Sequence, residues 1–162
     1  MPKQSGKQAE PGLPSWSLGK PQEPHGKKGE TKVPSEQAVL KRLRAICRQL
    51  PEVIETTTFG HPTFQAGKKK TFVVLDDHEC DDALCIVFKA SPSEQKELIK
   101  QLRFFPSKFG AKHGWTSMKV DDALDWKQVE SLITKSYRLL ANQRMLIALD
   151  NSSTRRANSA KR

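Results

Sequence analysis

Between residues 35 and 50 the apolar side chains Val39, Leu43, Ile46 and Leu50 recur at helical spacing, with Leu40 and Cys47 alongside. Ser35 stands in N-cap position and Pro51 ends the run, so the pattern predicts a first helix over 35–50. A second is predicted from Ser91-Pro92-Ser93-Glu94, a capping-box serine and glutamate with proline at the first helical position, burying Leu98, Ile99 and Leu102. A third starts near Asp125, whose carboxylate caps it, and buries Val129, Leu132, Ile133, Ser136 and Leu140. Short β-rich runs fill the space between the first two helices, over 54–59, 63–66, 71–75 and 83–89. Their joints are Gly60-His61-Pro62, the Gly67-Lys68-Lys69-Lys70 corner and an acidic loop from Asp76 to Asp82. A further strand over 115–120 precedes the third helix. Strands joined by short loops pair antiparallel, so the order predicts an α+β fold, an antiparallel sheet backed by helices.

The periodicity fades at both ends. Residues 1–33 hold five of the ten prolines and five of the nine glycines, and their large apolar side chains are Met1, Leu13, Trp16, Leu18 and Val33. That set cannot offset the ordering entropy of the segment. Residues 150–162 show no apolar period either. The organisation expected is a disordered basic tail over 1–33, a domain over 34–149 and a basic C-terminal tail over 150–162.

Charge changes the picture more than composition does. The 162 residues carry 28 Lys and Arg against 18 Asp and Glu, a net charge of +10, which favours anionic partners. Each tail carries +3 of this and the middle +4, from 18 basic and 14 acidic residues. No apolar run approaches the roughly 20 residues of a membrane span, and the start of the chain has no signal-peptide pattern. Three cysteines in such a chain are expected to be reduced thiols in a cytoplasmic protein.

Three places give the chain a family likeness. They are Leu50-Pro51-Glu52-Val53 with Phe59-Gly60-His61-Pro62-Thr63-Phe64; then the run from Gly67 to Leu75; then Lys112-His113-Gly114-Trp115 leading through Met118-Lys119-Val120 to Asp125-Trp126 and Ser136-Tyr137-Arg138-Leu139. In these features the stretch 37–144 resembles the YjbR/MmcQ family. The resemblance implies a CyaY-like fold and a role in DNA binding through two β-hairpin wings; it brings no agreed set of catalytic or binding residues.

The residues themselves offer two basic candidates. Lys68, Lys69 and Lys70 occupy a turn between strands, where ammonium groups meet phosphates as mobile point charges or simply keep the turn soluble. The spacing is not that of a phosphate-binding P-loop, since a strand rather than a helix follows. Lys108, Lys112, His113, Trp115 and Lys119 form the second, a basic loop feeding a strand with one aromatic. Alternation puts Trp115, Ser117 and Lys119 on one strand face and Thr116, Met118 and Val120 on the other.

The acidic stretch 76–82 reads as a solvated loop, lacking EF-hand order and paired-cysteine zinc spacing, and leaves cation binding open. Cys47 and Cys85 read as apolar packing. No catalytic residue, metal ligand or cofactor is assigned. The leading expectation is a small protein binding duplex DNA mainly through phosphates; the alternatives are a protein-interaction module and an unrecognised enzyme or small-ligand binder.

Overall fold

The computed structural model describes residues 33–161 apart from 82 and 109. Most of the segment read as an N-terminal tail therefore lies outside the described residues. The elements are α1 (Glu36–Cys47), β1 (Val53–Thr58), β2 (His61–Ala66), β3 (Thr71–Cys80), β4 (Ala83–Lys89), α2 (Pro92–Leu98), β5 (Phe104–Pro106), β6 (Trp115–Lys119), α3 (Trp126–Leu140) and α4 (Gln143–Ala160). The strands form one antiparallel sheet in the order β1-β2-β3-β4-β6-β5, so the fold is α+β as expected.

The three caps read from the sequence hold their helices. Ser35 accepts from Ala38 N, Ser91 from Glu94 N and Asp125 from Lys127 N. One sheet face, carrying Phe64, Leu75, Ile86, Phe88 and Met118, packs with Val39 and Leu43 of α1 and Val129, Leu132 and Ile133 of α3. Tyr137, fully buried, joins this stripe, with Leu140 half-buried against the same core: Tyr137 stacks edge-on against Phe72, and its hydroxyl donates to the Pro51 carbonyl at 2.6 Å. Ser136 ties α3 to two strands, donating to Phe72 O at 2.6 Å and accepting from Lys89 N at 2.9 Å.

Four features differ from the sequence reading. The helix α2 ends at Leu98, so helical periodicity no longer places Ile99 and Leu102, and both are exposed. The acidic stretch is not a solvated loop: β3 continues through Cys80, with a register irregularity between Asp76 and Cys80, and buries Asp76 and Glu79. That irregularity is held by the Asp76 carboxylate, whose Oδ1 accepts from the backbone of His78 and Glu79 at 2.6 and 2.8 Å. The turn after β3 then sets Cys80 beside Cys85, Cα atoms 6.4 Å apart, and the two are joined in a disulfide rather than standing as reduced thiols. Cys47 is free and buried.

The fourth difference lies at the C-terminal end. Residues 143–160 are helical, where a tail was expected from 150. Asn142 caps this helix by accepting from Met145 N, and Met145 and Leu149 dock it on the core. Arg144 pairs with Glu52 at the start of the helix, and Arg156 donates to Gln49, a polar contact beyond its last buried apolar side chain, Leu149. Two apolar anchors four residues apart are too short a pattern to announce a helix. Among the described residues no helix is long and apolar enough to cross a membrane.

Candidate nucleic-acid interface

The strand register gives the sheet two unlike ends. The β2–β3 turn, carrying Lys68, Lys69 and Lys70, lies beyond the pair Gln65 and Thr71. The register continues through Val73 and Phe88 to Thr116, and Lys89 stands opposite Trp115. Pro106 pairs with Thr116 and Ser107 N donates to Trp115 O, so the β5–β6 connection, with Lys108, Lys112 and His113, leaves the sheet at this same end. About two and a half strand spacings separate the β2–β3 turn from β6, roughly 12 Å.

Each loop is shaped by specific backbone. Gly67 and Lys69 both adopt positive φ, 66° and 65°, and the Gln65 side chain accepts from Lys69 N at 3.2 Å. In the second loop a 3-10 turn over Ala111–His113 ends at Gly114, φ 89°. Its carbonyl accepts from Ala90 N at 2.8 Å, and a Cβ added there would stand 2.2 Å from Ala90 O. Lys68, Lys69, Lys70, Lys108, Lys112 and His113 are all exposed. Ion pairs among the described residues engage Arg44, Lys100, Arg103, Lys135, Arg138 and Arg144, and none of these loop lysines.

Two candidates sit differently. Lys119 pairs with Cys85, four residues along β6 from Trp115 and so roughly 13 Å from the basic end. Trp115 is half-buried and lines a cavity of about 150 Å³ with Thr63, Thr71, Val74, His61 and Asp76. It packs beside Gly110 rather than standing free as a stacking platform. The sequence reading missed Lys89, half-buried on the row of Trp115; alternation carried across the two strands would have found it.

A cluster of acidic residues lies on the second half of β3. Glu79 is buried there with one carboxylate oxygen accepting from Ser107 Oγ, from Ser117 Oγ at 2.9 Å and from Lys108 N at 3.0 Å. It thereby anchors the start of the β5–β6 connection from across the sheet. His61, Asp76, Asp77 and His78 form a second group. No thiol chemistry competes at neutral pH: burial pushes the free Cys47 thiol up to about 12.

The YjbR family matches residues 48–139. The crystal structure of the Deinococcus radiodurans protein DR2400, a DUF419 domain, superposes with a TM-score of 0.57 at 21% identity, covering 68% of this chain and 87% of that one. No curated protein matches the chain. The structural likeness is one of fold alone, while the family match spans more than half of the sequence, including all six strands and both basic loops: the chain belongs to the YjbR family.

Proposed function

We propose that this protein binds duplex DNA through the basic end of its sheet, chiefly by phosphate contacts. The observation that carries the reading is the placement of two lysine-bearing loops at one end, their centres three strand spacings or roughly 14 Å apart, comparable with the width of a DNA groove. Lysines that pair with no carboxylate among the described residues are open to phosphate oxygens. Single-stranded nucleic acid fits less well, because Trp115 is half-buried and single-strand binders present open aromatic faces. Lys119, at the far end, is left out of the interface and Lys89 is added.

The test is salt-dependent binding of the full chain to unrelated duplexes. Replacing Lys68, Lys69 and Lys70 with Ala should weaken every duplex alike and reduce the log–log salt slope by up to about 0.9 for each phosphate that a lysine no longer neutralises. An unchanged slope and affinity in that variant would remove the β2–β3 turn from any interface.

A further inference from the structure

Among the described residues, Asp76 is a fully buried acidic side chain whose charge is only half satisfied. Its side chain is 0% exposed, and while Oδ1 accepts two backbone hydrogen bonds, Oδ2 has no hydrogen-bond partner. A buried carboxylate oxygen without a donor costs on the order of 1–3 kcal/mol or more and calls for an explanation. Oδ2 faces the His61 ring, 3.6 Å from Nε2, while His61 Nδ1 lies 3.6 Å from Asp77 Oδ1. His78 Nδ1 is 2.5 Å from the same Asp77 oxygen. One donor atom from each of His61, Asp76, Asp77 and His78 falls within 4.8 Å of every other.

The structure assigns to this group a binding site for one divalent first-row transition ion. Two imidazoles and two carboxylates form a nitrogen–oxygen donor set that suits zinc and its neighbours over calcium or magnesium, which take oxygen almost alone. With bonds of about 2.0–2.2 Å, donors around a tetrahedral ion stand about 3.3–3.6 Å apart; His61 offers one nitrogen to the ion, and donors now within 4.8 Å of one another close on it by side-chain movements of about an ångström. The close Asp77–His78 contact opens as both turn to the ion. The cation satisfies the orphaned Asp76 oxygen, and whichever His61 nitrogen stays unbound keeps a carboxylate beside it to fix the ring.

The local backbone favours such a site. His61 opens β2 directly after a two-residue turn in which Phe59 and Gly60 have φ of 50° and 85°. That turn type ordinarily takes Asn-Gly, and Phe59 holds the costly position while 92% exposed. Phe59, Gly60, His61, Asp77 and His78 together line an open cleft, giving the ion a route from solvent. Cys80 and Cys85, nearby on the same hairpin, are committed to their disulfide and leave the donor set to nitrogen and oxygen.

The experiment is competition between the full, untagged chain and a chromophoric chelator for Zn²⁺, with circular dichroism as the folding control. One Zn²⁺ should bind per chain. His78→Ala removes an exposed ligand, its side chain 72% accessible, and should weaken binding roughly tenfold or more without disturbing the fold. Asp76→Asn should do the same. His113→Ala and the triple alanine variant of Lys68, Lys69 and Lys70 should bind Zn²⁺ as the unaltered protein does, which separates this site from the DNA interface. Absence of one-to-one binding, or unaltered affinity in both His78→Ala and Asp76→Asn, would overturn the assignment.

Discussion

The two ends of the sheet are built from the same six strands but treat charge in opposite ways. At the basic end the lysines sit on turns, exposed, on loops shaped by positive-φ backbone and by single side-chain acceptors, Gln65 and Glu79. At the acidic end Asp76 and Glu79 are buried, and the backbone of β3 is held around them. Charge in turns is cheap to keep and easy to lend to a ligand; charge inside a strand is costly and persists only with dedicated partners. Net charge alone would not have separated the two, since the helix-backed middle of the chain carries both signs.

Glu79 joins the ends, and removing it should give the largest effect. Glu79→Ala strips the acceptor from Ser117 Oγ and Lys108 N, and should cost about 3 kcal/mol in urea unfolding. It also removes a negative charge, which by itself would tighten DNA binding. If Glu79 positions the β5–β6 connection, affinity should fall instead; a tighter complex would show that the two ends are independent.

Gly114→Ala attacks the basic end directly. Positive φ and the 2.2 Å approach to Ala90 O leave no room for a methyl group, so stability should drop by about 2 kcal/mol and DNA affinity with it. Unchanged thermal unfolding would mean that the loop rebuilds without the Ala90–Gly114 hydrogen bond.

Titration acts on the helix-backed core and leaves both ends in place. Burial raises the Cys47 thiol from 9.0 and the Tyr137 hydroxyl from 10.0, each to about 12. Both folded values exceed the unfolded ones, so their stabilisation is complete below pH 9 and is lost as pH rises through the 9–12 range. Glu55 has the opposite sign: its hydrogen bonds to Arg44 lower it, so its contribution is present at neutral pH and lost on acidification. That pair is partly exposed and its share is small. Equilibrium unfolding against pH should therefore show an alkaline decline and only a shallow acid shoulder.

The first three helices were legible because each announces itself locally: Ser35, Ser91 and Asp125 cap their own first turns. The lysine turns were legible for the same reason, since Gly67 and Gly114 mark the chain reversals. What escaped depends on contacts distant in sequence. Glu79 is buried by Ser107 and Ser117, 28 and 38 residues away, and five acidic residues in seven positions otherwise describe a solvated loop. The strand β5 is three residues long, and α4 rests on Met145, Leu149 and cross-chain polar contacts. The grouping of His61 with Asp76 needs the β2–β3 register, which no spacing in the chain reveals.

The most direct test of the basic end as the DNA interface is a nuclear magnetic resonance titration of the full, isotopically labelled chain with a short duplex. Amide shifts should concentrate in residues 67–70 and 110–114 and diminish together as salt is raised. Shifts confined to residues outside those two loops, or centred on the acidic stretch 76–81, would contradict the account.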